Sequence, residues 1–424
     1  MQRDNAKSTP VDFTRRGFLK TSAAASAAAM MTTLGASFVH AAGSDVIKVG
    51  VIGCGGRGNG AANDCLEGAQ QAGAKAEIFA VGDVFKGQTN NLKNKFKLAD
   101  DKCFGGLDAY KGVIDSGVDL VVLATPPGFR PYHFRYAIEK GKHVFFEKPV
   151  AVDPVGIRIV IAAGAAATEK KLGVVTGTQR RHEKNYIDTI KAIHDGAIGD
   201  ILHMSVYWCG GGIWSRGRQP GQSDTEYQIN NWYHYIWLSG DQICEQHVHN
   251  LDVAAWVMGT HPDWAYGQGG RTVRTEPGQI WDNTAVEFGY ANGARVISFG
   301  RHWPGDGEVG EYAIGTKGTS NPGGSIRTAD GKETRFRGGT NGYVQEHADL
   351  IKSILDGKPL NEAKQVAEST MMAIMGRMSC YTGRRVKWDF VMNQSKLDTM
   401  PKDLDLKGAM PEPPVPIPGK EKLI

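Results

Sequence analysis

The 424 residues are enough for two domains with sizeable hydrophobic cores, and 41% of them are hydrophobic. The formal net charge is only +4 and most of it falls in the first 41 residues, so we expect no nucleic-acid partner, which would require a basic patch or stripe. The six cysteines show no CxxC spacing, which argues against a zinc site or a disulfide scaffold and leaves the disulfide state open.

Residues 1–42 have the pattern of a bacterial twin-arginine signal peptide. Arg15 and Arg16 precede a short alanine-rich apolar stretch, and Ala41 and Ala42 offer a cleavage site. A membrane anchor or a disordered basic tail is the alternative, but the stretch is short and weakly apolar for a spanning helix. We therefore expect export by the twin-arginine translocation machinery, a periplasmic location, and a mature protein without membrane association.

A β-branched run from Val46 to Ile52 predicts the first strand, and a helical stretch from Ala61 to Ala72 follows it. The turn between them matches GxGxxG, and the amides at the helix start could bind a pyrophosphate. A second match at residues 305–310 carries acidic residues and has no helical pattern after it, so we discard it. The predicted cofactor-binding residues of the first turn are Gly53, Gly55, Gly56, Arg57 and Gly58.

The next strand, from Ala76 to Val84, contains Asp83 near its end, 25 residues after Gly58. A carboxylate there can accept hydrogen bonds from the adenosine ribose and would repel a 2′-phosphate. This favours NAD, whereas Lys86 keeps NADP open. An ordinary turn residue is the alternative interpretation of Asp83.

The remainder of the first half continues to alternate strands with helices, which predicts a doubly wound parallel sheet over residues 45–180. Strands are expected from Val118 to Thr125 and from Val144 to Phe146. Ligands of such sheets bind beyond the carboxyl ends of the strands. Four further residues at these ends are predicted to lie at the cofactor, namely Thr125, Pro126, Glu147 and Lys148.

Three segments together resemble the Gfo/Idh/MocA oxidoreductase family, which includes glucose–fructose oxidoreductase. They are residues 53–58, residues 147–149 (Glu-Lys-Pro) and residues 245–252 (Glu-Gln-His-Val-His-Asn-Leu-Asp). The resemblance implies an α/β protein with an N-terminal Rossmann domain and, over residues 181–395, an α+β domain with a large, open, mostly antiparallel sheet. It also implies a homodimer or homotetramer. Residues 396–424 form a Pro-rich tail that we expect to be extended.

The third segment supplies the predicted catalytic base, His249, because the pKa of histidine lies near working pH. On one helix Glu245, His249 and Asp252 would share a face, and Glu245 could orient the imidazole. The family usually has Asp at the position of Glu245, which puts the role of that residue in doubt. Lys148 could stabilise a developing alkoxide. Packing of His249 in a helix and a surface salt bridge of Lys148 are the structural alternatives.

Predicted substrate contacts are Arg181, Trp232, Tyr233 and Asp252. Arg180 could replace Arg181, and core packing is the alternative for the aromatic residues. A metal site that includes His247 is disfavoured, since His247 and His249 do not share a helix face. We expect no metal.

The leading hypothesis is an exported NAD(P)-dependent oxidoreductase with a tightly bound cofactor that acts on a sugar or polyol. Tight binding is expected because the periplasm offers no metabolic pool of nicotinamide. The alternatives are an NAD-dependent glycoside hydrolase that oxidises and eliminates, a non-catalytic sugar-binding relative, and a cytoplasmic dehydrogenase if the leader is misread.

Overall fold

The computed structural model describes residues 46–424, so the predicted signal peptide at 1–42 lies outside the described residues. The first part of the described chain alternates strands with helices. Its strands are β1 (Val46–Ile52), β2 (Lys75–Asp83), β3 (Cys103–Gly105), β4 (Leu120–Leu123), β5 (His143–Phe146) and β6 (Val174–Thr176). Its helices are α1 (Gly56–Gln71), α2 (Lys86–Phe96), α3 (Ala109–Asp115), α4 (Arg130–Glu139) and α5 (Pro154–Glu169).

Within the described residues these six strands form one parallel sheet in the order β3-β2-β1-β4-β5-β6. The chain runs outward in one direction from β1 to β3 and then crosses back to β4, which pairs with the other side of β1. A crevice opens at such a reversal, beyond the carboxyl ends of the two neighbouring strands. The predicted doubly wound sheet is confirmed, and the crevice lies at the ends of β1 and β4.

The turn from β1 to α1 is too tight for any side chain at two of its glycines. A Cβ atom on Gly58 would lie 1.7 Å from the carbonyl oxygen of Gly53. Gly53 itself has φ +93°, and a Cβ there would lie 2.6–2.7 Å from the backbone of Ala124 and Thr125. The helix begins at Gly56, five residues before the predicted start, because Gly55 in an extended conformation is its N-cap.

The second part of the chain carries the open sheet that the resemblance implied. Its strands are β7 (Ile201–Gly210), β8 (Trp264–Gly270), β9 (Asn283–Gly289), β10 (Arg295–His302), β11 (Glu308–Gly315), β12 (Gly318–Asn321), β13 (Ser325–Thr328), β14 (Glu333–Arg335) and β15 (Val386–Lys387). The order is β14-β13-β12-β11-β7-β10-β9-β8-β15, and every pairing is antiparallel except that of β7 with β10.

Helices cover one face of this sheet and connect it to the first. They are α6 (Lys184–His194), α7 (Asp224–Asn230), α8 (Ile236–Ser239), α9 (Gln242–Glu245), α10 (Val248–Met258), α11 (Gly342–Leu355) and α12 (Ala363–Thr382). Single-turn 3₁₀ segments lie at Asp100–Lys102, Pro127–Phe129, Gln179–His182 and Trp232–His234, and a π-turn at Phe390–Gln394. No helix within residues 46–424 is both long enough and apolar enough to cross a bilayer.

The prediction of one helix through Glu245, His249 and Asp252 is wrong. Glu245 ends α9, whereas His249 and Asp252 lie on α10, which begins at Val248. Between the two helices, the buried His247 shares a hydrogen bond of 2.7 Å with Ser298 of β10. This contact with the sheet holds the chain at the point where the helix is interrupted.

The tail at residues 396–424 contains no helix or strand, is interrupted by turns rather than fully extended, and binds its own chain. Ser223 and Gln228, at and within α7, donate side-chain hydrogen bonds to the carbonyl oxygens of Leu406 and Met410, at 2.6 and 3.1 Å. The indole of Trp281 donates to Pro416 at 3.0 Å. All six cysteines are free thiols in this structure.

Arg377 on α12 is almost fully buried and holds together three separate parts of the chain. Its guanidinium donates 2.8 Å hydrogen bonds to the carbonyl oxygens of Gly240 and Val152. We predict that Arg377→Met lowers the free energy of unfolding by about 3 kcal/mol, because two buried carbonyl groups lose their donors. Lys364→Met, on the same helix but 77% exposed, is the control, and urea unfolding followed by circular dichroism is the measurement. Equal midpoints for the two variants would contradict the prediction.

Candidate cofactor and substrate site

Two adjoining cavities open at the crevice between the strands. The Asp83 cavity, about 250 Å³, reaches along the ends of β1 and β2. The His249 cavity, about 550 Å³, reaches toward α9 and α10. Seven residues line both cavities and therefore mark the boundary between them: Gly55, Gly56, Ala124, Thr125, Pro126, Arg216 and Trp232.

The N-terminus of α1 faces this boundary. A Cβ on Gly55 or Gly56 would meet nothing within 4 Å, so the backbone there borders open space. The N-cap Gly55 supplies no side-chain hydrogen bond, and the first turn contains no acidic residue. The first amides of α1 are therefore available to an anion, and the helix dipole favours negative charge at this point. These features fit the pyrophosphate of a dinucleotide.

Asp83 lies in the cavity named after it, at the end of β2. Its Oδ2 accepts a hydrogen bond from the amide of Cys54 at 2.8 Å, and its Oδ1 accepts one from Phe85 at 2.9 Å. Burial raises the pKa of the carboxyl, and the two amide hydrogen bonds oppose this shift. Each oxygen retains a lone pair for a ribose hydroxyl. Lys86, the reason to keep NADP open, starts α2 and does not line the cavity.

Arg57 and Glu147, both predicted to bind the cofactor, bind each other. The Nε of Arg57 donates to Glu147, and its Nη1 lies 3.1 Å from Asp64. The pair joins the first turn of α1 to the end of β5, and both residues line the His249 cavity. Thr125 and Pro126 follow β4 and lie on the boundary, as the strand-end argument predicted.

Lys148 and Glu245 form a second ion pair in the same cavity. The ammonium of Lys148 donates to the backbone carbonyl of Glu245 at 2.6 Å and to its Oε1 at 3.1 Å. The peptide bond between Lys148 and Pro149 is cis. The prediction that Glu245 orients His249 is wrong, because its carboxylate is directed at Lys148. The second oxygen, Oε2, is buried, and the hydroxyl of Tyr233 lies close enough for the Glu245 carboxylate to raise the pKa of that hydroxyl.

His249 lines the cavity with its ring stacked on Trp208, 5.8 Å between centroids and 21° between planes. Burial, together with the positive charges of Lys148 and Arg180, holds the pKa of His249 well below its usual range. Among the described residues, none forms a hydrogen bond with the imidazole. His249 is therefore a neutral imidazole beside a buried ammonium, which is the state that a general base requires.

Arg181 and Asp252, two of the predicted substrate residues, are occupied with each other. The guanidinium of Arg181 makes a bidentate pair with Asp252, both distances being 2.8 Å, and Ser369 donates to the same carboxylate at 2.6 Å. Neither residue lines either cavity. The structure thus contradicts this assignment, and Arg180, the alternative, lies in the cavity instead.

Trp232 lines both cavities as predicted for a substrate residue, whereas Tyr233 does not line them. The hydroxyl of Tyr233 is buried 3.3 Å from Nε2 of His302. Burial and the neighbouring charge of Glu245 raise the pKa of Tyr233 well above its usual range. Tyr233 therefore packs beside Glu245 and His302 instead of facing the cavity.

The sequence did not single out Trp208, Tyr343 or Gln246, which also line the His249 cavity. Trp208 lies near the end of β7, a position that strand-end reasoning applied to the second sheet would have found. Tyr343 arrives from α11, nearly 200 residues after Lys148, and its ring lies 4.9 Å from the guanidinium of Arg57. No local pattern signals that contact.

Comparison with known proteins agrees with this architecture. Residues 47–176 match the model of an oxidoreductase family with an NAD-binding Rossmann fold, and residues 187–320 match the GFO/IDH/MocA C-terminal domain. Over 216 residues the chain is 26% identical to a myo-inositol 2-dehydrogenase of Thermotoga maritima, covering 50% of this chain and 56% of that protein. It is 25% identical over 198 residues to a scyllo-inositol 2-dehydrogenase (NAD(+)) of Bacillus subtilis, covering 46% and 50%.

The chain thus spans about half the length of the curated relatives it matches. A levoglucosan dehydrogenase, solved in complex with NADH and levoglucosan, superimposes with a TM-score of 0.64 at 18% identity, covering 81% of this chain and 99% of that one. That likeness shows the fold. The two family models together cover more than half of the sequence, and they match its two successive sheets. The chain belongs to the Gfo/Idh/MocA family of oxidoreductases.

Proposed function

We propose that this protein is a periplasmic, NAD-dependent oxidoreductase that transfers a hydride between tightly bound nicotinamide and a carbon of an uncharged sugar or polyol. One observation carries the proposal: Lys148 and His249 line the same cavity as the open amides of α1. A dinucleotide whose pyrophosphate lies at those amides and whose adenosine lies in the Asp83 cavity would extend its nicotinamide into the His249 cavity.

NAD supplies a hydride acceptor when bound, and the remaining chemistry is proton transfer by the chain itself. Oxidation of a secondary alcohol requires loss of the hydroxyl proton as the hydride leaves. His249 is the group in the cavity that is held neutral by its surroundings, so it can accept this proton. The positive charges of Lys148 and Arg180 would disfavour the resulting imidazolium. In the reverse reaction, His249 would therefore give the proton back readily.

Lys148 stabilises the charge that develops on the substrate oxygen. Its ammonium is mostly buried, where charge interactions are stronger than in water. The hydrogen bonds to Glu245 fix its position before substrate arrives.

An uncharged polyhydroxylated substrate fits the charge balance of the cavity. Three of its cations are each paired with a carboxylate: Arg57 with Glu147, Lys148 with Glu245, and Arg180 with Glu311. The indoles of Trp208, Trp214 and Trp232 supply apolar faces for sugar C–H groups. The names of the similar proteins given above, which refer to inositols and levoglucosan, agree with this class of substrate.

Export and assembly belong to the same proposal. The twin-arginine pattern of residues 1–42 supports passage of a folded, cofactor-loaded chain to the periplasm. A retained cofactor must be reoxidised in place, so a second substrate would return the hydride. The free face of the second sheet carries exposed aromatic residues, Phe299 and Tyr312 among them. Such a patch favours a homodimer or homotetramer.

We predict that Gly55→Asp separates cofactor binding from folding. Aspartate is a favourable N-cap residue, and a Cβ at this position meets open space, so the melting temperature should stay equal or rise. The same carboxylate would repel the pyrophosphate and occupy its donors, weakening NAD binding by at least about 100-fold. Isothermal titration calorimetry of apoprotein with NAD measures this. Gly307→Asp, in the discarded glycine pattern, is the control, and unchanged affinity in Gly55→Asp would refute the assignment.

A second prediction concerns His249. Replacement by Gln should slow reduction of bound NAD by about 10² to 10⁴-fold, the usual contribution of a general base, with NAD binding retained. Single-turnover absorbance at 340 nm, after a screen of inositols and anhydrosugars has found a reducing substrate, measures the rate. His203→Gln, a histidine of β7 that bonds Ser205 outside both cavities, should react at the parent rate. A His249→Gln rate equal to that of this control would remove the base from the mechanism.

The pH profile provides a third prediction. A base must be neutral to act, so the rate should fall as the pH drops through the pKa of His249, which lies well below its usual value near 6.5. Lys148→Met removes one of the charges that depress this pKa, so its acidic limb should move to higher pH while its maximal rate falls. A limb that stays in place, measured by the same single-turnover assay between pH 4 and 9, would contradict the assignment.

A further inference from the structure

The Asp83 cavity has two walls that come from different parts of the chain. One wall consists of the glycine turn and the strand ends described above. The opposite wall consists of Arg216, Ile229, Asn230 and Trp232, which belong to the segment between β7 and the turn after α7. We call residues 211–232 the covering segment. A dinucleotide in this cavity would lie between the parallel sheet and the covering segment.

Arg216 is placed to meet phosphate from the covering side. It lines both cavities, together with Gly55 and Gly56, and so lies at the boundary where the pyrophosphate is expected. Its guanidinium lies 4.4 Å from the ring of Trp214, and its Nη1 donates to the carbonyl of Asn230 at 2.6 Å. Unlike Arg57, Lys148 and Arg180, it makes no ion pair with a carboxylate among the described residues. An arginine held in this way can donate its remaining N–H groups to phosphate oxygens.

The covering segment is fixed by the C-terminal tail. In addition to the hydrogen bonds of Ser223 and Gln228, the amide of Met410 donates to Asp224 at 3.2 Å, and the hydroxyl of Tyr235 donates to Glu412 at 2.9 Å. Lys407 of the tail forms an ion pair with Glu226. The bonds of residues 223–228 run along α7, and that of Tyr235 lies just after the covering segment, so the tail acts as a strap over α7.

One apolar cluster connects the strap, the covering segment and the nucleotide-binding loops. Its buried members include Tyr227 and Ile229 of α7 and Trp237 of α8. Leu404, Leu406 and Met410 of the tail pack against it, as do Phe85 and Leu107 from loops that line the Asp83 cavity. Displacing the tail would therefore expose the apolar cluster and, at the same time, loosen the covering segment that lines the Asp83 cavity.

We propose that Arg216 binds the cofactor pyrophosphate from the covering side and that the C-terminal tail keeps the covering segment closed, so that release of the dinucleotide requires the tail to move. This proposal rests on the proposed NAD site and gives a physical reason for a retained cofactor. Unlike the export signal, the covering segment and the tail that fixes it are features of the folded chain.

The test is the rate at which bound NADH leaves. Protein loaded with NADH is mixed with excess NAD, and loss of energy transfer from tryptophan to NADH is followed by stopped-flow fluorescence. Arg216→Gln should release NADH about 10 to 100 times faster, the range expected for loss of a charge-assisted hydrogen bond to phosphate. Arg327→Gln is the control, because Arg327 is an exposed arginine of β13 that lines neither cavity, and its replacement gives the same loss of charge.

A second pair of variants tests the strap. Leu404→Ala combined with Leu406→Ala should speed release by at least about tenfold, since it removes apolar contacts that hold the tail. Ile417→Ala, 61% exposed on the same tail, should release NADH at the parent rate. Thermal unfolding of each variant, followed by circular dichroism, shows that the fold persists at the assay temperature.

The outcomes separate the two proposals. Unchanged release from both Arg216→Gln and the double-leucine variant, with the parent still binding NADH, would overturn the proposed roles of Arg216 and the tail and leave the oxidoreductase proposal intact. A parent protein that binds neither NADH nor NAD would overturn the proposed function and these two roles with it. Faster release only in the two test variants supports both roles.

Discussion

The ion pair and hydrogen bond between Lys148 and Glu245 join the two sheets at the point where chemistry is proposed. Lys148 follows the last residues of β5, and Glu245 ends α9 under the second sheet. The residues are 97 positions apart and both are mostly buried, so leaving either charge alone would be costly. This pairing fixes the ammonium in the cavity. The helix α10, which carries His249, begins at Val248, three residues after Glu245.

Ion pairs hold three of the five arginines and lysines that line the His249 cavity. Arg57, Lys148 and Arg180 each have a carboxylate partner. Even so, burial and the positive charges of Lys148 and Arg180 lower the pKa of His249. Arg130 donates instead to the carbonyl oxygen of Pro149, and Arg216 has no acidic partner among the described residues. An anionic group would complement Arg216, and the pyrophosphate of the proposed dinucleotide would supply one.

The sequence predicted the features that depend on residues close together in the chain. The run Val46–Ile52, the glycines after it and the strand ends at Asp83, Thr125 and Lys148 all follow from chain geometry within a few residues. Side-chain pairing across long separations did not follow. Arg181 and Asp252 each fitted a substrate role by position, yet they satisfy each other across 71 residues. The helix break before Val248 coincides with the hydrogen bond between His247 and Ser298, a contact across 51 residues that no periodicity near His247 reveals.

The strands β12 to β14 are short and polar, so alternation offered no signal for them, and their place in the sheet is set by pairing with neighbours.

The measurement that tests the account most directly is denaturation of the purified protein, with the released nucleotide identified and quantified by mass spectrometry. The account predicts close to one NAD or NADH per chain. Protein that carries no nucleotide, and whose apoprotein takes up neither NAD nor NADP, would contradict it.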